Sequence, residues 1–288
     1  ANPYAISLGD ESTATGRINL GGGINSFGTM IGPIIVSLLL FGTAAASEEQ
    51  TKSLGLNNVS FMYAGVGHGG ASGYLALMAL FMFPPDIMKP TALLLNIFIA
   101  GVSFWAFKKR GHFNWKLFYP FAIASIPAAF IGGYMEVEVD LYKKVLAVLL
   151  IFSVLRMLGF LGKEKEETRK IQLWQGLIAG GVIGFFSGMI GIGGGIILSP
   201  VILLMGWGKM KETAAVSALF IFVNSVSGMS GYLLKGSSVS PQSFVLVGIA
   251  LVGGVAGAYV GSGKMNNVQL RCMLAFVLMI ASAKLFMV

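Results

Sequence analysis

Long apolar stretches follow one another along most of the chain and are separated by short polar segments. Because a helix needs about 20 mainly apolar residues to cross a bilayer, we interpret these stretches as helices. They are predicted at 18–42, 59–83, 90–107, 117–135, 142–160, 172–191, 193–206, 212–234, 241–262 and 267–287. The stretch 193–206 is too short for a comfortable span, which favours a half-helix after a chain break or a re-entrant loop.

The composition agrees with a bilayer rather than water as the solvent of this chain. Of its 288 residues, 20 are Lys or Arg and 12 are Asp or Glu, so that 11% are charged, whereas a soluble domain carries about 25%. Hydrophobic residues make up 55% and the mean hydropathy is +0.79. One soluble core could not bury so much apolar surface. We therefore predict an all-α, multi-pass integral membrane protein.

The formal net charge of +8 does not indicate a nucleic-acid partner, because the basic residues are spread over short segments between apolar stretches. Cytoplasmic loops of membrane proteins carry Lys and Arg in this way. Cys272 is the only cysteine, which excludes an intrachain disulfide and a thiolate zinc site. We expect neither a metal nor a cofactor. Because the chain opens at Ala1 rather than Met, we expect its N-terminus to be incomplete or processed.

An internal repeat relates the two halves of the chain. An offset of 124 residues superposes Gly67, Gly69 and Gly70 on Gly191, Gly193 and Gly194. The same offset pairs Leu95, Ile97, Phe98, Val102 and Ser103 with Leu219, Ile221, Phe222, Val226 and Ser227. If each half contributes five crossings, most loop Lys and Arg fall on one side of the membrane. The positive-inside rule thus favours two inverted repeats of about five helices, each with glycine-broken half-helices.

The strongest local signal is the glycine-rich segment from Gly191 to Pro200. Four glycines within 191–195 break a helix inside an apolar stretch of membrane length, and a new helix follows. The start of that helix presents unpaired N–H groups at the positive end of the helix dipole, which attracts an anion. Tight packing of helices through small residues is the alternative interpretation.

From about residue 59 to 288 the chain resembles the TauE/SafE family of sulfite and organosulfonate exporters. The resemblance rests on G-x-G-G-G-x-x-x-x-P at Gly191 to Pro200, on 214–217, on 224–228 and on the repeat copy at 67–75. It implies a transporter in the plasma (inner) membrane of a bacterium that moves small sulfur-containing anions outward and is driven by a gradient. The implied partners are a small anionic substrate and membrane lipid, and a homo-oligomer is compatible with the resemblance. The first copy departs from the pattern, with His68 at a glycine or apolar position and Ala76 in place of proline.

Residues 1–55 instead resemble an internal fragment of the fucose–proton symporter branch of the major facilitator superfamily. One helix with its flanks cannot form a sugar site, so no sugar function is implied. We therefore divide the chain into an N-terminal fragment (1–56), repeat one (57–160), a charged loop (161–171) and repeat two (172–288). The two resemblances meet near 63–67, either in a natural fusion or in a chimera, and we favour the chimera. A non-transporting, incomplete membrane scaffold is accordingly the alternative function.

The candidate substrate-binding residues are the glycines of both motifs and the polar side chains near them. They are Gly67, His68, Gly69, Gly70, Ser72, Asn96, Gly191, Gly193, Gly194, Gly195, Ser199, Ser217 and Asn224. His68 is the titratable side chain predicted near mid-membrane, where it either couples transport to protonation or bonds a broken-helix carbonyl. Arg156 and Lys284, near the ends of the last helix of each repeat, either guide anions or snorkel to the interface.

An intramembrane serine protease is a remote alternative. The segment from Gly70 to Gly73 has the G-x-S-G form of rhomboid proteases, and His68 lies four residues before Ser72. A nucleophilic serine needs a base within hydrogen-bond reach, but a four-residue match is weak in a glycine-rich chain. We therefore predict that the protein is not an enzyme.

Overall fold

The computed structural model describes residues 48–71, 74–75, 78, 85–135 and 168–266. Within these ranges the structure is helical and contains no strand. The helices are α1 (Glu48–Gly65), α2 (Pro85–Lys109), α3 (Trp115–Tyr134), α4 (Leu173–Ile190), α5 (Gly195–Met205), α6 (Met210–Leu234) and α7 (Pro241–Gly263). The chain divides into two compact units, Ala1–Lys52 and Ser53–Val288. Of the first unit only 48–52, the beginning of α1, is described.

Five of the described helices are long and apolar enough to cross a membrane, namely α2, α3, α4, α6 and α7. Helix α5 has 11 residues and is too short to do so. Large apolar side chains are exposed on the outer faces of these helices, as lipid contact requires; examples are Trp105, Ile123, Ile178, Val182 and Val252. The prediction of an all-α, multi-pass integral membrane protein is confirmed.

Six predicted helices lie close to observed ones. The predictions 90–107, 117–135, 172–191, 193–206, 212–234 and 241–262 correspond to α2, α3, α4, α5, α6 and α7. Helix α5 begins after a chain break, as predicted for a half-helix. The predicted helices 18–42, 142–160 and 267–287 lie outside the described residues.

The prediction of one continuous helix over 59–83 is wrong. Helix α1 already begins at Glu48 and ends at Gly65, and helical backbone resumes at Ala71. The helix begins early because its first residues, although polar, include neither proline nor a run of glycines. It ends early because Gly67 and Gly70 adopt positive φ values of 77° and 90°, which a right-handed helix cannot include.

Local signals explain where several helices begin and end. The side chain of Asn114 accepts a hydrogen bond from the Lys116 N–H at 2.9 Å and caps α3. Ser240 caps α7, and Pro241 follows at a position where a missing N–H has no cost. Gly206 ends α5 with a φ of 67°. Each of these signals is readable in the sequence.

Helix α6 lies at the centre of the described helices. It packs against α2, α3, α4 and α5, while α2 also packs against α7. Its buried face includes Phe220, which meets Phe121 of α3 edge to face at 6.4 Å. Helices α2 and α6 both contain 25 residues and correspond at nearly the repeat offset. The core is thus built around one helix from each half.

Rows of glycines bring neighbouring helices into backbone contact. On α4 the glycines that face α3 are Gly176, Gly180, Gly184 and Gly188, and a Cβ atom at any of them would overlap α3. On α7 the row Gly253, Gly257 and Gly261 meets the backbone of 57–65 in the same way. Without a hydrophobic driving force between helices in lipid, such close approach is a main source of packing energy.

We expect Gly188→Ala to destabilise the protein by about 1–3 kcal/mol, because the new methyl group would overlap the Ala129 carbonyl of α3. The matched control is Gly181→Ala on the same helix, whose methyl group would lie 3.6 Å from Ala124 Cβ, at ordinary contact distance. The measurement is unfolding of the two detergent-solubilised variants. Equal stabilities would contradict the packing role of this row.

Candidate functional site

The second glycine motif forms a sharp break between α4 and α5. Helix α4 ends at Ile190, and Gly191 donates its N–H to the Ser187 carbonyl at 2.8 Å. Gly191, Gly193 and Gly194 all have positive φ, between 75° and 84°. Helix α5 then begins at Gly195. The N–H groups of Ile197 and Leu198 donate to the Gly194 carbonyl at 3.1 and 3.0 Å, and the start of the helix forms the positive end of a dipole at the break.

The first glycine motif forms a corresponding break after α1. Residues 66–70 are not helical, and Gly67 and Gly70 have positive φ. These two glycines match Gly191 and Gly194 at the offset of 124 residues. The repeat seen in the sequence therefore has a counterpart in backbone conformation at both breaks.

His68 connects the two breaks directly. Its Nε2 atom lies 3.0 Å from the carbonyl oxygen of Gly195, at the start of α5, and 3.1 Å from Ser199 Oγ. Because a carbonyl oxygen can only accept, we assign the proton to Nε2. Ser199 Oγ lies 2.7 Å from Ser217 Oγ of α6, and all three side chains are buried. A continuous hydrogen-bonded chain thus runs from the first break through α5 to α6.

Asn96 of α2 lies between the two breaks. Its amide nitrogen donates to the Gly191 carbonyl at 3.4 Å. A Cβ atom at Gly69 would overlap Asn96 Oδ1, and one at Gly193 would lie 2.8 Å from Asn96 Nδ2. One buried side chain therefore touches a glycine of each motif, and any side chain at either glycine would displace it.

Several buried polar atoms beside the second break have no hydrogen-bond partner among the described residues. They include Oγ of Ser187 and Oγ of Ser225, while the unpaired Oδ1 of Asn96 faces Gly69 of the first break. A Cβ atom at Gly193 would lie 3.1 Å from Ser225 Oγ, and one at Gly194 would lie 3.2 Å from Ser187 Cβ. Because buried polar atoms are nearly always hydrogen-bonded in native proteins, these atoms point to a ligand or to water at the break.

The structure brings some of the predicted site residues together and separates others. His68, Ser199, Ser217 and Gly195 belong to one connected group, and Gly69, Asn96, Gly191, Gly193 and Gly194 surround the second break. In contrast, a Cβ atom at Gly67 would overlap the Ala214 backbone, and Gly70 packs against the Tyr74 ring. Asn224 is buried, but no hydrogen bond between described residues joins it to this group. Ser72, Arg156 and Lys284 lie outside the residues whose side chains are described.

Sequence reasoning missed three polar residues at the site. Ser187 and Ser225 look like ordinary small residues of apolar helices, and their position becomes apparent only from the contacts with the glycine segment. Lys89 of α2 packs beside Gly191, and its ammonium group donates to the carbonyls of Gly133 and Met135 at 3.2 and 3.3 Å. Its position near the start of a span was the available signal, because charges in such segments are uncommon.

Known proteins that resemble this chain are membrane transporters. The family model described as sulfite exporter TauE/SafE matches residues 54–285. The chain is 37% identical over 246 residues to the probable membrane transporter protein y4hK of Sinorhizobium fredii. The alignment covers 82% of this chain and 98% of that relative. It is 27% identical over 208 residues to a probable membrane transporter protein of Methanocaldococcus jannaschii, and this alignment covers 67% of this chain and 78% of that relative. No solved structure matches the chain significantly.

The matched range contains both breaks and every polar residue described around them. It begins at residue 54, upstream of the junction that the sequence resemblances place at 63–67. The likeness of residues 1–55 to a fucose–proton symporter concerns a part of the chain that is largely outside the described residues.

The hydrogen-bonded and the unpaired serines of this site are expected to respond differently to removal of their hydroxyl groups. Ser199→Ala leaves Ser217 without its partner and should cost about 1–2 kcal/mol of stability. Ser225→Ala removes a hydroxyl that has no partner among the described residues, so its effect should stay within about 0.5 kcal/mol. Unfolding of both variants in detergent measures the difference, and a larger loss for Ser225→Ala would contradict this assignment.

Proposed function

Because this chain belongs to the sulfite exporter TauE/SafE family of membrane transporters, we propose that it carries small sulfur-containing oxyanions out of the cell. Sulfite and organosulfonates are the proposed substrates, and a gradient rather than ATP is the proposed energy source. The observation that carries the proposal is a pair of buried hydroxyl groups, those of Ser225 beside Gly193 and Ser187 beside Gly194, that have no hydrogen-bond partner among the described residues. The break is therefore the proposed binding site.

The chemistry of the break suits an oxyanion. A sulfite or sulfonate group presents three oxygen atoms that accept hydrogen bonds. The hydroxyl groups of Ser187 and Ser225 and the amide of Asn96 can donate to them. Ile221 and Phe220 lie over the glycines in this structure, so a ligand that reaches the backbone must displace them. No acidic side chain is among the residues that the structure places around the break.

His68 offers a way to couple the anion to a proton. It is a titratable side chain of the connected group and lies next to Gly195, the first residue of α5. Protonation would place a positive charge beside the anion, so that proton and anion would each favour binding of the other. We propose that His68 is the residue through which a proton gradient drives transport.

We further propose alternating access between two inverted repeats. Two observations support it: glycines with positive φ recur at the repeat offset, and the core is built from one 25-residue helix of each half. In transporters of this kind the site lies between the repeats, at discontinuous helices near the midplane. Movement of one half against the other would open the break alternately to each side.

The first experiment identifies the substrate class. Thermal unfolding of the purified chain in detergent would be measured against sulfite, thiosulfate, sulfoacetate, taurine and sulfate, with fucose as the control. A ligand present at 100 times its dissociation constant should stabilise the native state by about 2.7 kcal/mol. We expect stabilisation by a sulfur oxyanion and none by fucose. Cooperative unfolding without any shift, combined with no flux, would favour the non-transporting scaffold instead.

The second experiment tests the site. In proteoliposomes loaded with labelled sulfite, Ser225→Ala should weaken the apparent affinity for sulfite about tenfold or more, because a hydrogen bond to a charged group is lost. The matched control is Ser262→Ala, which removes a buried hydroxyl that bonds only to backbone carbonyls of α7 among the described residues. Wild-type efflux in a folded Ser225→Ala variant would count against this site.

A further inference from the structure

A basic groove lies at one end of the described helices, apart from the glycine breaks. Its volume is about 730 Å³, and it is formed where α2 ends, α3 begins and α6 begins. The groove is lined by the loop 111–114, by Trp115 and Lys116 at the start of α3, and by Lys209, Lys211 and Glu212 where α6 begins. We call it the loop groove.

The residues that line the loop groove carry more positive than negative charge. Three lysines, Lys116, Lys209 and Lys211, line the groove together with one acidic residue, Glu212. Its carboxylate already accepts hydrogen bonds from the Asn114 side chain and from the Lys209 N–H. The N-terminal ends of α3 and α6 add the positive ends of two helix dipoles. The groove is therefore suited to a ligand with a phosphate or similar anionic group.

An exposed apolar stripe leads away from the groove along α3. Trp115, at the groove, is followed on the same face by Tyr119, Ile123 and Ile126, whose exposed fractions are 59%, 47%, 57% and 40%. The spacing of four, four and three residues keeps these side chains on one side of a helix. Trp and Tyr are typical of the membrane–water interface, so the groove lies at the depth of lipid headgroups and the stripe below it faces acyl chains.

We propose that the loop groove binds the headgroup phosphate of an anionic phospholipid, whose acyl chain lies along the stripe of α3. The basic residues 108–110 beside the groove favour the cytoplasmic leaflet by the positive-inside rule. That leaflet is also where anionic lipids attract clustered Lys and Arg. The continuity of the stripe with the groove favours a lipid over a soluble phosphate, because one phospholipid can contact both surfaces. This inference is independent of the proposed substrate.

His112 in the loop groove makes binding depend on pH. Burial, Lys211 and Arg110 lower the pKa of His112 below its ordinary value, although a hydrogen bond with the backbone of Ser262 acts in the opposite direction, so the imidazole is neutral at pH 7. The other charged residues that line the groove with it are Lys116, Lys209 and Glu212, and Lys264 lies nearby over the Tyr259 ring that Arg110 also covers. A bound phosphate favours the imidazolium, so binding takes up a proton and must strengthen as the pH falls.

The test uses the full chain in vesicles of phosphatidylcholine with increasing fractions of brominated phosphatidylglycerol. Bromine quenches nearby tryptophans, and subtraction of the signal of Trp115→Phe isolates Trp115. The variant Lys209→Gln/Lys211→Gln should weaken the apparent affinity for phosphatidylglycerol about tenfold or more. The matched control, Lys108→Gln/Lys109→Gln, removes equal charge at the same membrane face outside the groove and should change affinity less than about threefold. Should the groove variant fail to fold, Lys116→Gln takes its place.

Two further measurements, a change of pH and a competition with inorganic phosphate, distinguish the possible outcomes. Lowering the pH from 7.5 to 5.5 should strengthen binding of phosphatidylglycerol by the wild type, and His112→Gln should abolish this dependence. Inorganic phosphate at millimolar concentration should leave the quenching unchanged. Equal losses in both lysine variants would mean unspecific attraction to an anionic surface and overturn the proposal. Displacement of the lipid by inorganic phosphate would overturn it in favour of a soluble anion.

Discussion

The polar groups of the backbone must find partners inside the protein wherever the chain crosses lipid, and this constraint governs the centre of the molecule. Two helices are interrupted by glycines, and the end of the helix before each interruption leaves carbonyl groups without helical partners. His68 bonds the Gly195 carbonyl and Asn96 bonds the Gly191 carbonyl. The same side chains belong to the proposed transport site. Stability and the proposed transport thus depend on one small group of residues.

The close approach of the surrounding helices follows from the same constraint, because a broken helix must be shielded from lipid by protein. Glycine rows on α4 and α7 let these helices contact the backbones of α3 and α1. Helix α6 fills the middle and contributes Ser217 and Ser225 to the polar groups around the second break. Small residues therefore act here by allowing contact between helix backbones rather than by any chemistry of their own.

The sequence allowed the long helices and the second break to be predicted, because hydropathy and glycine clusters are local signals. The prediction from hydropathy failed at α1, because the polar first part of this helix has no hydropathy signal. The sequence also could not separate the glycines by role. Gly67 and Gly191 look equivalent in the repeat, yet one packs on the Ala214 backbone and the other lies against Lys89. Such distinctions depend on contacts between residues more than 100 positions apart, which a single sequence does not reveal.

The two hydrogen bonds at the breaks both run from residues before 135 to residues after 168. His68 bonds Gly195, and Asn96 bonds Gly191, so neither half of the chain contains both partners of either bond. A gene cut between the halves would encode two fragments that each lack this polar centre. Reassembly of the centre would then follow second-order kinetics in fragment concentration. In the intact chain the covalent link replaces that encounter, and the effective concentration of one half around the other is fixed by the connection rather than by expression level.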